Sequence, residues 1–175
     1  MRRLTQRIRR AATLDVSLYE EVETDPGATG QAVGVVVLSS LAAGIGMGAR
    51  GGVSGIVIGT LTTLLGWYAW AYLIYFFGSK FFPEPQTQAT HGELLRTTGF
   101  SSAPGLLRVF GIIPGLTGIV FGVSLVWMLV TMVIAVRQAL DYTSTLRAAG
   151  VCVISLAIVL LLLLAFAPSV SSVSG

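Results

Sequence analysis

Arg108 is the residue whose position raises a question of function most directly. It lies within an apolar part of the segment 91–115, and none of the long charge-free stretches offers an acid to pair with it. A charge inside a membrane segment is costly, and such residues often serve binding or transport. A structural role is the favoured alternative, because a long arginine side chain near the end of a segment can reach lipid headgroups or cap free carbonyls. Both interpretations remain open.

The other ionisable patterns do not predict catalysis or metal binding. His91 and Glu93 lie two residues apart, but the chain has one histidine and one cysteine, too few for a typical zinc ligand set. Arg137 and Asp141 have the spacing of a surface ion pair on one helix face. The glycine-rich run 48–52 lacks the lysine of a phosphate-binding loop. We therefore expect no enzyme, no cofactor and no metal.

Composition indicates which elements must position these residues. Hydrophobic residues make up 54% of the chain and charged residues 11%, whereas about a quarter is usual in soluble domains. In lipid, backbone groups must be paired within the element, and Leu-, Val-, Ala- and Gly-rich runs favour helices. The sequence therefore predicts an all-α, polytopic transmembrane helical bundle. Charges are absent from four long stretches, each sufficient for a helix of about 20 residues, namely 26–49, 51–79, 109–136 and 148–175.

We predict three regions along the chain. Residues 1–25 form a basic, amphipathic segment in the cytoplasm with short surface helices, residues 26–168 form the membrane domain, and 169–175 form an extracytoplasmic tail. The membrane domain is expected to contain five spans, the third short and broken. Their predicted bounds are 26–48, 53–77, 98–113, 116–136 and 146–167.

Pro104 explains why the third span is predicted to be broken. Between Pro104 and Pro114 there is room for only about 16 Å of helix, against a hydrocarbon core of roughly 30 Å. Pro104 also lacks a backbone donor and clashes with the preceding turn. We expect a surface helix over 93–98, a break at 101–104 and a short helix ending at Ile113. Such a break requires surrounding protein, because lipid cannot pair the freed backbone groups.

Positive charge predicts the orientation of the chain. If the segment 91–115 crosses, nine basic residues, including Arg96, lie in the cytoplasm and only Arg50 lies outside, with Arg108 uncounted. If it does not cross, the division is eight inside against three outside. The positive-inside rule therefore favours five spans, with the N-terminus in the cytoplasm and the C-terminus outside.

The N-terminal arginines are more typical of membrane binding than of nucleic-acid binding, because no compact basic domain surrounds them. Residues 1–14 can form an amphipathic helix on an anionic leaflet, with a disordered basic tail as the alternative. Its apolar face would consist of Leu4, Ile8, Ala11 and Ala12. A second helix is predicted over 16–24, with Asp15 as its N-cap.

Glycines at four-residue spacing predict close helix packing. Gly51, Gly55 and Gly59 form one row, and Gly118 with Gly122 forms another. Small residues at this spacing share a helix face and let two backbones approach closely. Packing within the chain is the favoured interpretation, and self-association through the first row is the alternative.

Four sequence motifs together resemble a known family. VSLYEEVETDP precedes the first two spans, HGELLRTTGFSSAPGLL follows them, AVRQAL ends a tryptophan-bearing span, and STLRA precedes the last. Over about residues 18–167 the chain resembles the Yip (Ypt-interacting protein) family, which implies five spans and a cytoplasmic N-terminus. Eukaryotic members are associated with Rab-type GTPases and vesicle trafficking. Those partners are not carried over, because only about 25 residues precede the first span and ten arginines to one lysine hint at a prokaryotic source.

Two functions fit these observations. We expect a non-enzymatic scaffold or adaptor in a prokaryotic cytoplasmic membrane, which organises the bilayer or binds a membrane protein or a second copy of itself. The alternative is a transporter or channel for a small solute, lined by the broken third span. Discontinuous helices do mark transport sites, but the folds that use them usually contain repeats, and none is evident here.

Overall fold

A computed structural model of the protein describes residues 2–48 and 51–171, and the side chains of 3–48 and 51–161. Within these residues the fold is helical and has no strand, which confirms the predicted all-α class. Arg50 and positions 172–175 of the predicted tail lie outside the described residues. The α-helices are α1 (Arg2–Ala12), α2 (Val16–Thr24), α3 (Ala28–Gly46), α4 (Gly52–Phe76), α5 (His91–Phe100), α6 (Thr117–Ala139) and α7 (Thr145–Ser171).

Two further elements complete the chain. A π-helical turn, Phe77–Phe81, extends α4, and a 3-10 helix, Ala103–Ile112, follows α5. We call α5, the turn at 101–102 and this 3-10 helix the third segment. By length and apolar composition, three described helices can cross a membrane: Ala28–Gly46, Gly52–Phe81 and Thr117–Ala139.

At one end of the bundle, which we call the lower end, the end of α4 and the connection before α5 contact the connection after α6. The Tyr142 hydroxyl donates to the carbonyl oxygens of Gly78 and Phe82 at 2.8 and 2.7 Å. Glu84 accepts from both the backbone nitrogen and the hydroxyl of Thr143. These two hydrogen bonds hold the pKa of Glu84 down, at about 2. The loop before α5 and the turn between α6 and α7 are therefore joined.

The opposite, upper end gathers the end of α3, the end of the third segment and the start of α6. Gly46, the last residue of α3, lies directly against the backbone of Arg108. The Thr117 hydroxyl, in the first turn of α6, donates to the Gly111 carbonyl oxygen at 2.6 Å. Gly115 adopts a φ of +84°, which lets the chain turn between the 3-10 helix and α6. The third segment thus runs from the lower end to the upper end, like α3.

The N-terminal helices pack against the bundle. Ala11, Leu18 and Tyr19 are fully buried in one core with Val35 of α3 and Phe100 of α5. Most of the expected apolar face of α1 exists, since two of its other three members, Leu4 and Ile8, pack partly buried against the same core. That face contacts protein, so it is not free to lie on a leaflet and α1 is not a disordered tail. The predicted N-cap is also found, because the Asp15 carboxylate accepts from the Ser17 backbone nitrogen at 3.0 Å.

A buried arginine fixes α1 to α2 and α3. Arg7 is only 6% exposed, and its guanidinium donates to Glu21 at 2.9 Å, Asp25 at 2.8 Å and Gln31 at 3.1 Å. Burial of a charge is costly unless it is paired and hydrogen-bonded, and all three sides of this guanidinium have partners. Hydrogen bonds from Arg10 and Arg7 in turn lower the pKa of Glu21. The basic segment is thereby anchored by its own acids.

Candidate functional site

Arg96, which the sequence singled out as a cytoplasmic charge, fastens α2 to the third segment. It is 8% exposed, and its Nε donates to the Val22 carbonyl oxygen at 2.8 Å. Its Nη2 donates to the carbonyl oxygen of Glu23. Carbonyls in the last turn of a helix lack partners within the helix and carry partial negative charge. Arg96 satisfies two of them and is therefore a positioning residue for the N-terminal helices.

Trp127 makes the equivalent contact with α1, and sequence reasoning missed it. Its indole nitrogen donates to the carbonyl oxygen of Ala12, the last residue of α1, at 2.9 Å. The signal in the sequence was a tryptophan in the middle of an apolar run, since a buried indole N–H usually finds a partner. Its partner, 115 residues away, could not be identified from spacing.

The break in the third segment lies where the sequence predicts it. α5 ends at Phe100, a turn follows, and Pro104 is buried at the start of the 3-10 helix. The Ser101 hydroxyl donates to the Thr98 carbonyl oxygen at 2.7 Å. The Thr131 hydroxyl of α6 donates to the Ser101 carbonyl oxygen at 2.8 Å. Protein therefore surrounds the break and pairs the backbone groups that it frees.

The part after the break differs from the expected short helix. It is a 3-10 helix of ten residues, whereas runs of more than three or four residues are uncommon. At about 2.0 Å per residue it covers about 20 Å, where α-helix would cover about 15 Å. α5 adds about 15 Å, so the two elements together contain about 35 Å of helix along the chain. The close contact with α3 favours the narrower helix.

Arg108 lies in this 3-10 helix beside a cavity of about 250 Å³. Its guanidinium carbon is 5.6 Å from the centre of the Phe121 ring. The Nε atom is buried without a hydrogen bond, and in the described part of the chain no carboxylate pairs with the side chain. The cavity is bounded by α3, α4, α6 and the third segment, and its polar lining includes Ser39, Ser40, Thr63 and Ser102.

The sequence model of the Yip1 domain matches residues 17–167, from α2 into α7. The chain belongs to the Yip1 domain family. Comparisons with curated proteins and with solved structures gave no match. Arg96 and the α2 carbonyls that it binds all lie inside the Yip1 domain. α1, which Arg7 and Trp127 hold in place, precedes the matched range.

Three glycines allow α3 to approach the third segment of this Yip1 domain. A Cβ atom on Gly46 would lie 1.9 Å from the Arg108 carbonyl oxygen, and one on Gly105 would lie 2.0 Å from the Ser39 hydroxyl oxygen. One on Gly99 would lie 2.7 Å from the Ala32 Cβ. Real side-chain atoms cannot occupy these positions without displacing a neighbour. The contact that surrounds the break therefore depends on glycine.

The glycines that the four-residue spacing selected lie elsewhere. Cβ atoms on Gly55, Gly59, Gly118 and Gly122 would meet no described atom within 4 Å, and one on Gly51 would meet only its own helix at Gly55. These rows make no close helix contact within the described chain. Their role in helix packing remains a prediction for contact with another chain.

The remaining polar candidates have structural partners. Glu93 forms a capping box with Thr90 at the start of α5. The His91 ring lies edge-on against three tyrosine rings of α4, those of Tyr68, Tyr72 and Tyr75. Within 2–48 and 51–171, no cluster of three metal-ligating side chains occurs. The helical ion pair predicted between Arg137 and Asp141 is not formed. α6 ends before Asp141, whose φ is +53°, and Arg137 donates to the Tyr142 carbonyl oxygen at 3.2 Å.

Replacing Gly46 by alanine should destabilise the protein by about 2 kcal/mol, because the added methyl group would overlap the Arg108 backbone. Gly122→Ala is the matched control. Its Cβ meets open space, so this change should be neutral or stabilise by up to about 1 kcal/mol. Thermal unfolding of both variants in the same detergent measures the difference. Equal melting temperatures would contradict the close contact between α3 and the third segment.

Glu23 should make stability depend on pH. Burial and the charges of Asp141 and Glu93 raise its pKa from 4.5 to about 7. The folded protein therefore binds the proton more tightly, and stability is lost as the pH rises from about 4.5 through 7. Glu23→Gln should unfold at a higher temperature than the parent at pH 8, by the equivalent of about 2 kcal/mol.

The same variant should differ little from the parent at pH 5, where Glu23 is already largely protonated. Glu20→Gln removes only the weakest of the neighbouring negative charges that raise the pKa of Glu23, so this control should retain most of the parent's pH profile. If Glu23→Gln brings no gain at pH 8, the raised pKa is contradicted.

Proposed function

We propose that this Yip1-domain protein is a non-enzymatic membrane scaffold or adaptor, which organises the bilayer or binds a protein partner as a subunit of a larger assembly. The observation that carries the proposal is the packing of α4. Only Ala71 and Ile74 are buried along its 25 residues, whereas seven residues are buried in the 19 of α3. One long apolar helix therefore offers most of its surface to lipid or to another protein.

The exposed surface of α4 has the composition of a helix–helix contact. Gly55 and Gly59 lie on it, open to the outside, and the large, exposed apolar side chain of Ile58 lies beside them. Membrane helices associate through small residues because these allow close backbone approach and dispersion contact. A partner helix on this surface would contact Gly55 and Gly59, which make no close helix contact within the described chain.

A second feature that supports an adaptor role is the charged surface of the N-terminal helices, α1 and α2. Arg96 and Trp127 hold α2 and α1 against the bundle, and the ion pairs of Arg7 and Arg10 fix their relative position. Exposed charges such as Arg9 and Glu20 then occupy fixed positions. A preorganised surface loses less conformational entropy on binding than a disordered tail would.

We propose five spans, with the N-terminus in the cytoplasm and the C-terminus outside, in a prokaryotic cytoplasmic membrane. Two observations support this topology. The third segment runs between the same two ends as α3 and α4, and the basic residues of the lower-end connections fall on the side of the basic N-terminus in this arrangement. Lys80, Arg137 and Arg147 are those residues.

Reporter fusions test the topology. Fused after Gly175, alkaline phosphatase should be active, because it folds only outside the cytoplasm, and green fluorescent protein at the same site should stay dark. The matched fusions after Ser144, in the turn between α6 and α7, should show the opposite result. A fluorescent C-terminal fusion would contradict the five-span proposal.

Purification in a mild detergent tests the adaptor role. We expect the protein to elute with a stable membrane-protein partner or as a defined oligomer. The double variant Gly55→Ile, Gly59→Ile should reduce that association by about tenfold, because bulky side chains keep a partner helix at a distance. Val57→Phe, Leu61→Phe adds bulk on the opposite, exposed side of α4 and is the control, which should retain the assembly.

The transporter alternative has one observation in its favour, the cavity beside Arg108 of the broken third segment. The same preparation separates the two functions. A monomer with no partner, together with solute flux into liposomes that Arg108→Ala abolishes, would overturn the adaptor proposal in favour of transport.

A further inference from the structure

We propose that Arg108 and its cavity bind a phosphate-bearing anion at the upper end of the bundle. This site goes beyond the proposed adaptor function and adjoins the partner-binding surface on α4, because Gly55 and Gly59 also line the cavity. It uses the guanidinium of Arg108 and the hydroxyls of Ser39 and Ser102, all of which line the same cavity. The two possible sources of the phosphate are a phospholipid headgroup and a free phosphate ion.

The first argument is an uncompensated charge. Arg7 and Arg10 form ion pairs and Arg96 binds backbone carbonyls, but Arg108 makes neither kind of contact in the described chain. Among the described side chains, its one charge-related neighbour is the face of Phe121, which offers much weaker stabilisation than a carboxylate or phosphate in hydrogen-bond contact. A half-buried guanidinium with five N–H donors therefore has capacity for an anion.

The second argument is the set of free hydroxyl donors around the cavity. Ser40 donates to the Val37 carbonyl oxygen and Thr63 to that of Gly59, so the protons of these hydroxyls are already used. Ser39 and Ser102 make no side-chain hydrogen bond in the described chain, and Ser39 is 4% exposed. One cation and two free O–H donors suit the several acceptor oxygens of a phosphate group.

The third argument is position and size. Gly46, where α3 ends, touches the Arg108 backbone, so the site lies near the upper end, within reach of headgroups at a membrane surface. Gly55 and Gly59 line the cavity and are exposed, which leaves it open to the outside. A volume of about 250 Å³ equals the liquid volume of about eight water molecules. That space takes a phosphate headgroup, while acyl chains would remain in the bilayer.

Native mass spectrometry of the protein released from phosphatidylglycerol nanodiscs tests the lipid source. We expect one lipid to be retained by the parent and its occupancy to fall about tenfold in Arg108→Gln. Arg9→Gln removes the same charge from an exposed site on α1 and should retain the lipid. Arg108→Lys should give an intermediate result, because it keeps the charge but loses the fork of donors.

Ala43→Leu tests the cavity without changing Arg108, so a folding defect of the arginine variants does not affect its result. Ala43 lines the cavity, so the larger side chain fills it while Arg108 remains. This variant should also lose the lipid and should elute as the parent does in size exclusion. Retention of the lipid by Ala43→Leu would show that the cavity is not the site.

Thermal unfolding of delipidated protein with added potassium phosphate, against potassium chloride at equal ionic strength, tests the free ion. Stabilisation of the parent but not of Arg108→Gln, without lipid retention, would identify free phosphate as the ligand. Lipid retention without a phosphate effect would identify the headgroup. If the parent and Arg108→Gln behave alike in both measurements, the proposal is overturned.

Discussion

The backbone groups freed at the break in the third segment impose the constraint on which the rest of the fold depends. Lipid offers no hydrogen bonds, so each carbonyl released where α5 ends must find a partner in protein. Thr131 of α6 supplies one and Ser101 another. α3 closes the other side, where glycines permit contact with the backbone itself. The bundle is therefore built around its least regular element, while α4, an α-helix of 25 residues, lies at the periphery.

Arginine meets three different environments in this chain. Arg7 is surrounded by acids and an amide, Arg96 by backbone carbonyls, and Arg108 by an aromatic ring and an open cavity. The first two have their donors largely satisfied, and both hold the N-terminal helices in place. Only the third keeps unused hydrogen-bonding capacity. The distinction depends on tertiary contacts, since the sequence around each residue gives no indication of its partner.

Composition predicted the fold class, and a helix-breaking proline predicted the position of the break. Charge-free runs predicted helices, and Pro104 with its neighbouring serines predicted an interruption that protein must surround. The 3-10 geometry was not predictable, because rise per residue is decided by contact with α3 and not by local propensity. Four-residue spacing identified glycines on common faces, but it could not tell which faces meet. Gly46, Gly99 and Gly105, the glycines that do make contact, were indistinguishable in sequence from the others.

The capping contacts of the N-terminal helices determine the order in which the molecule can be assembled. Arg96 is 74 residues from Val22, and Trp127 is 115 residues from Ala12. A ribosome adding 5–20 residues per second needs on the order of ten seconds to make the longer interval. During that time α1 and α2 exist without the groups that complete their last turns. α1 and α2 are thus synthesised well before the residues that cap them, and the N-terminal surface becomes complete only after α6 is in place.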